Sequence, residues 1–259
     1  MAGRWSLKGK KAVVTGGTKG IGRAIVDEYV QLGAQVFLTA RSEKDVLQVV
    51  ESYGSGNVHG IASDVSTKEG REELIAEVNR VFDGELHILV NNAGMSIRKR
   101  SLEYGEEEYD KLMDTNLKSI FRLCQMAHPM LKKAGSSCVL MDSSVAGMVA
   151  LNSGSIYGMS KAALNQLART LCCEWSGDGI RVNSVCPWYT RTPLAAPVFE
   201  DKERLGIILA RTPAGKIAEP KDVAALFAFL AMDCARHISG QSISVDGGFT
   251  ANGNFDFSR

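Results

Sequence analysis

"KAVVTGGTKGIGRAIVDEYVQLGAQVFLTA", residues 11–40, decides the fold. It opens with a short apolar run, KAVVTG (11–16), passes through a glycine-rich turn, TGGTKGIG (15–22), and continues with apolar residues at helical spacing over 20–33. A second apolar run, QVFLTA (35–40), closes it. Strand, tight turn, helix and strand in that order make a βαβ unit, which needs a right-handed crossover and a parallel sheet. Gly16, Gly20 and Gly22 follow a GxxxGxG spacing. Glycine tolerates positive φ and lets backbone approach a phosphate with no Cβ between them. The helix that follows offers free N–H groups to a pyrophosphate. A nucleotide is the expected ligand of this turn, with contacts from Gly16, Thr18, Lys19, Gly20, Ile21 and Gly22.

Outward from this unit the alternation continues. NVHGIA (57–62), HILVNN (87–92), CVLMDS (138–143), RVNSVC (181–186) and SISVDG (242–247) read as further strands. They are largely continuous apolar runs, as in a sheet covered on both faces. Helical patterns fall near 43–54, 67–82, 106–134, 155–175 and 220–232. The 259 residues, 45% hydrophobic and 23% charged, show no linker, repeat or low-complexity tract. The expectation is one α/β domain with a doubly wound, Rossmann-type parallel sheet.

A net charge of +1 and a pI near 7.6 disfavour a nucleic-acid binder. VAALFAFLAM (223–232) is too short to cross a bilayer and reads as a buried helix. The opening residues carry no apolar signal core. The six cysteines, at 124, 138, 172, 173, 186 and 234, form no CxxC pair and no metal-ligand spacing, and are expected reduced. The cytosol is the expected compartment, with neither metal nor membrane as partner.

The second strand identifies the nucleotide expected. An NAD site places an acid at its end to hold the ribose 2′-hydroxyl. Here Ala40 occupies that place, Arg41 follows, and Lys19 lies in the turn. Guanidinium grips a phosphate in bidentate fashion, so NADPH is favoured over NADH. Asp64, ending the third strand, is a candidate for the adenine amino group, although strand-end aspartates also make turns.

SSVAGMVALNSGSIYGMSK (143–161) sets Tyr157 and Lys161 on one helix face, four apart, with Ser144 thirteen before the tyrosine. An ammonium about 4 Å from a phenolate stabilises it by roughly 4 kcal/mol at an effective dielectric near 20. The lysine therefore reads as the group that tunes the tyrosine. YxxxK alone is a common pattern. Together with the glycine turn, NNAG (91–94), Asn116 in DTNLKS and VDGG (245–248), in this order, it resembles the short-chain dehydrogenase/reductase family across essentially the whole chain. That family's TGxxxGxG turn accounts for the departure from GxGxxG. Within it, RWSLKGKKAVVTGGTKGIG, MAHPMLK, SIYGMSKAALNQLARTL and EWSGDGIRVNSV look like plant tropinone-reductase-like enzymes.

The resemblance implies seven parallel strands, NADPH, carbonyl/alcohol interconversion and a homodimer or homotetramer. It assigns catalysis to Asn116, Ser144, Tyr157 and Lys161. Asn92 would lie against the adenosine ribose, Lys161 would also hold the nicotinamide ribose, and Asn116 would hold a water. Pro187 and Thr192 would flank the cofactor. One departure stands out: the family commonly has Pro-Gly after the sixth strand, and this chain has Pro187-Trp188. Trp188 must turn away or narrow the site, which makes it, with Ser144 and Tyr157, an expected substrate contact.

Residues 187–219 carry four of the six prolines and break the strand–helix rhythm. They are expected to form a substrate lid. The stretch between Ser144 and Tyr157 has no acid, and the nearest acids by sequence are Glu200 and Asp201 in the lid. Trp188, Tyr189 and Phe199 add aromatic area. The expected substrate is a small, apolar, cyclic ketone rather than a cationic amino-ketone such as tropinone. An alcohol dehydrogenase or 3-oxoacyl reductase on the same site is the alternative, with RKR (98–100) as its only basic strip. A non-catalytic NADP-binding regulator is the alternative of another class.

Overall fold

Strand β1 (Lys11–Thr15) pairs on one side with β2 (Gln35–Ala40) and on the other with β4 (Ile88–Asn91), both in parallel. The computed structural model describes residues 3–54, 56–152 and 154–253. β3 (Val58–Ala62), β5 (Ser137–Asp142), β6 (Ile180–Pro187) and β7 (Ser242–Val245) complete a seven-stranded sheet in the order β3-β2-β1-β4-β5-β6-β7. All its pairings are parallel. The winding direction reverses between β1 and β4, and the crevice beyond their carboxyl ends is where such sheets bind ligands.

Alternation along the strands sorts the core into two layers. Ala12, Val14, Val36, Leu38, Ile88, Val90 and Leu140 face one side. There they meet α1 (Gly20–Gln31), α2 (Glu43–Tyr53) and α9 (Pro220–Ala231). Val13, Phe37, Leu89, Val139, Met141 and Val182 face the other. They pack on α3 (Lys68–Phe82), α5 (Ser119–Ala134) and α6 (Ser155–Trp175). The 223–232 run is thus a buried helix: Val223, Phe227 and Leu230 are fully covered. The Tyr29 hydroxyl of α1 donates to the Phe227 carbonyl at 3.2 Å, joining the two helices through the core.

Two segments differ from the sequence expectation. The long helix over 106–134 is broken into α4 (Glu106–Met113), a π turn at Asp114–Lys118, and α5. The wide turn accommodates one extra residue, and it delivers the fully buried Asn116 to the strand ends. The 187–219 segment contains two helices, α7 (Ala196–Glu200) and α8 (Lys202–Ala210). Asp201 Oδ1 accepts from the Arg204 amide at 3.0 Å and so starts α8 as its cap.

Candidate active site

The glycine turn is built on the backbone of its neighbours. Gly20 has φ +57°, a left-handed value, and a Cβ on Gly22 would collide with the Gly16 carbonyl and the Asn92 amide. Thr15 Oγ1 accepts from the backbone N–H groups of Asn92 and Ala93, both at 3.0 Å, tying the turn to the NNAG segment. Asn92 Nδ2 donates to the carbonyls of Thr15 at 2.8 Å and Gly16 at 3.1 Å. Its amide nitrogen is thus engaged in holding the turn, a structural contact that the sequence reading did not anticipate. Lys19, at the start of α1, provides no side-chain cap, so the first-turn amides are left for an outside acceptor.

A groove with about 530 Å³ of free space runs from this turn along the strand ends. Gly16, Thr18, Lys19, Gly20, Ile21, Arg41, Asp64, Asn92, Tyr157, Lys161 and Thr192 all line it. Gly22 and Pro187 are not among its lining residues: Gly22 serves through the close approach to Gly16, and Pro187 faces the neighbouring cavity. At the far end Arg41 makes no ion pair among the described residues, whereas Lys19 Nζ is 2.6 Å from Asp45 Oδ2. That hydrogen bond holds the Asp45 carboxyl below the usual carboxylate range. Asp64 accepts from the Ser66 amide at 2.9 Å and the Ser66 hydroxyl at 2.7 Å, a turn built on its own carboxylate. Burial raises its pKa, but those bonds and the Arg41 charge lower it more.

The four expected catalytic side chains meet where the sheet ends. Asn116 binds the Met95 backbone at both ends, accepting from its N–H and donating to its C=O, each at 2.8 Å. A Cβ on Gly94 would lie 3.5 Å from Asn116 Oδ1 and 3.6 Å from Lys161 Nζ, ordinary contact distances that place this residue against both heads. Lys161, 3% exposed, donates to the Asp142 carbonyl at 2.6 Å. Its Nζ lies 5.5 Å from the centroid of the Tyr157 ring. Ser144 starts a short 3₁₀ turn, where its Oγ accepts from the Ala146 amide at 3.1 Å, leaving its hydroxyl proton free to donate.

A second cavity, with about 110 Å³ of free space, adjoins the groove. Tyr157 lines both, as do Asp142, Ile21 and Thr192. Ser144, Ser96, Arg98, Leu151, Pro187, Trp188, Tyr189 and Leu194 line the second one. Trp188 narrows it and is itself clamped. Its Nε1 donates to Thr212 Oγ1 at 3.0 Å, and its ring stacks on Phe249 with centroids 3.7 Å apart. Phe199 is not a lining residue; it backs Tyr189, edge to ring at 6.5 Å.

Sequence reasoning missed Asp142 and gave Arg98 only as part of the RKR strip. The acid that lines the cavity is neither Glu200 nor Asp201 but Asp142, the last residue of β5 and two before Ser144, whose Oδ1 is buried with no hydrogen-bond partner among the described residues. Burial pushes its carboxyl up to about 6, against the lowering effect of Lys161. The RKR strip is also divided: Arg98 enters the cavity while Lys99 pairs with Glu108 at 2.6 Å. It therefore forms no continuous basic surface. No helix among the described residues is long and apolar enough to cross a membrane. Among them, too, no cluster of three acidic, histidine or cysteine residues could hold a metal.

The sequence profile of the family described as Enoyl-(Acyl carrier protein) reductase matches residues 16–250. A tropinone reductase homolog of Arabidopsis thaliana is 49% identical over 252 residues, spanning 96% of each chain. Among solved structures, a putative NAD(P)-dependent gluconate 5-dehydrogenase from Beutenbergia cavernae with bound NADP superposes with a TM-score of 0.90. It is 32% identical and covers 96% of this chain and 100% of its own. The Pseudomonas aeruginosa RhlG/NADP active-site complex gives a TM-score of 0.89 at 33% identity, covering 95% and 98%. A glycine turn before α1, a π-turn asparagine and a Ser–Tyr–Lys set at the mouth of one sheet thus occur in a sequence matched over nearly its full length: the chain belongs to the short-chain dehydrogenase/reductase family of oxidoreductases.

Proposed function

We propose that this protein is an NADPH-dependent reductase of a small, ring-shaped ketone. The observation that carries the reading is the position of Tyr157, on the boundary between the long groove and the small cavity. A proton donor placed there reaches a carbonyl in one compartment beside a nicotinamide in the other.

The groove fits NADP. The uncapped amides of α1 and the left-handed turn at Gly20 accept a pyrophosphate. Arg41, with no ion-pair partner among the described residues, suits a 2′-phosphate. When bound, NADPH would supply the hydride. The Tyr157 hydroxyl gives its proton to the substrate carbonyl oxygen. Ser144 donates a hydrogen bond to that oxygen, orienting and polarising it. The Lys161 ammonium stabilises the phenolate left behind. Asn116 keeps the Met95 backbone, and so the NNAG segment, in place beside Lys161.

The volume of the cavity supports a small substrate. At roughly 10–15 Å³ of such space per water-sized group, about 110 Å³ corresponds to about seven to eleven such groups, which favours a compact ketone. Trp188, Tyr189, Leu151 and Leu194 give that ketone an apolar body to lie on. The homologs' tropinone-reductase name supports ketone reduction. Arg98 in the wall opposes a protonated amine such as tropinone itself. Exposed Leu102, Tyr109 and Phe121 near α4 and α5 support a homo-oligomer, and six cysteines without a disulfide support the cytosol.

Following NADPH absorbance with a panel of cyclic ketones tests the reading. Turnover of small ring ketones is expected, lost in Tyr157→Phe while NADPH still binds. No oxidation of NADPH by any ketone would remove the reductase assignment.

A further inference from the structure

Three of the buried polar atoms that find no partner among the described residues belong to one cavity. They are Ser96 Oγ, Arg98 Nε and Asp142 Oδ1. Buried polar groups are nearly always paired, because each unpaired one carries its full desolvation cost. Three such groups among the residues that wall the space beside Ser144 and Tyr157 leave that wall short of hydrogen-bond partners.

The charge balance shows which ligand would supply them. Asp142 makes no ion pair among the described residues, and Lys161, which donates to its backbone carbonyl at 2.6 Å, only partly offsets its burial; the site thus holds two cations, Lys161 and Arg98, against this one acid. Lys99, next to Arg98, is already taken by Glu108. Arg98 forms no ion pair and no side-chain hydrogen bond with any described residue. It lines the small cavity and is not among the residues lining the cofactor groove, so a cofactor phosphate does not account for it. One positive charge is left over on the substrate side. A guanidinium with a hydroxyl nearby in a partly desolvated wall is a carboxylate receptor.

We propose that the substrate is a small oxo acid, a ring ketone carrying a carboxylate that Arg98 and Ser96 bind while its carbonyl meets Ser144 and Tyr157. This rests on the reductase reading and narrows its substrate class: the apolar body lies on Trp188, Tyr189 and Leu194, and the polar end of the cavity takes the anion. Arg98 thereby sets specificity without touching the reacting atoms. A cationic ketone meets the Arg98 guanidinium, which lacks an ion pair among the described residues, and is disfavoured.

The test compares 4-oxocyclohexanecarboxylate with 4-methylcyclohexanone, a neutral ketone of similar size, in the NADPH assay. Wild-type kcat/KM is expected to favour the oxo acid by about tenfold or more, the range of a charge-assisted bond. Arg98→Leu should lower that ratio by at least about tenfold, and Arg98→Lys, which keeps the charge but loses the fork, should restore part of it. In a second arm, cyclohexanecarboxylate is added to the enzyme with NADP⁺ and thermal unfolding is followed. Protection of the wild type that disappears in Arg98→Leu supports the receptor independently of turnover. Equal efficiency on the two ketones, or a ratio indifferent to position 98, overturns the oxo-acid proposal while leaving the reductase reading standing. Carboxylate protection without any NADPH oxidation would leave Arg98 as a carboxylate receptor but remove both the reductase reading and the oxo-acid substrate.

Discussion

Trp188 and Phe249 lie face to face, ring centroids 3.7 Å apart and planes 8° from parallel. The stack joins the end of β6 to the segment after β7. It fills, with Val145, Cys186 and Leu151, a small apolar cluster next to Ser144. The family glycine at position 188 would leave that cluster without its largest member. The tryptophan does not merely crowd the cavity: it forms one wall of it and is held there by Thr212.

Trp188→Gly should therefore have opposite effects on stability and on substrate range. Loss of the stack and of the indole bond is expected to cost about 2–4 kcal/mol, below the full range for a large buried aromatic because the ring is part-exposed. Urea unfolding measures this. At the same time the cavity widens, so bulkier ring ketones should gain in kcat/KM relative to small ones. A variant as stable as wild type would show that the stack is incidental.

Cofactor choice should depend on Arg41 and, in the opposite sense, on Asp45. Arg41→Ala is expected to weaken NADPH binding by about tenfold or more with little effect on NADH. Asp45→Asn removes a carboxylate from the groove and releases Lys19, so NADPH should bind more tightly, by a few-fold, at low salt. Adding Ala40→Asp to Arg41→Ala should turn preference toward NADH. Fluorescence titration with both cofactors reads all three.

Asp142 predicts a pH dependence of stability. Its carboxyl titrates at about 6 in the fold and near 3.9 when unfolded. Between those values the folded state holds the extra proton, so stability falls as pH rises through this window and is lowest once both states are ionised. The contribution is on the order of 3 kcal/mol. Asp142→Asn should flatten this part of the curve and stabilise the protein at pH 7 relative to pH 4. Denaturant midpoints measured from pH 4 to 7.5 check both statements.

Asn116→Leu is expected to be harmful out of proportion to its size. It strands the Met95 N–H and C=O in a part-buried place, at no more than about 1–3 kcal/mol for each unpaired group. The NNAG segment then loses its tie to the π turn, and turnover should fall with stability. Urea unfolding alongside the NADPH assay measures the two losses.

Much of this protein is legible in one dimension. The βαβ unit of residues 11–40, the helix at Ser155–Trp175 and the seven apolar runs follow from periods of 2 and 3.6 and from glycine placement, which act over a few residues. The i, i+4 relation of Tyr157 and Lys161 is likewise local geometry. What lies across the fold is not. Lys19 finds Asp45 on the next helix, Asn116 needs the Met95 backbone to explain its π turn, and Arg98 meets Asp142 only as fellow walls of one cavity. In each case a side chain's role depends on which distant group is left to pair with it. That is decided by packing and by the low dielectric of a buried site, where an unpaired polar atom is costly enough to define what must bind there.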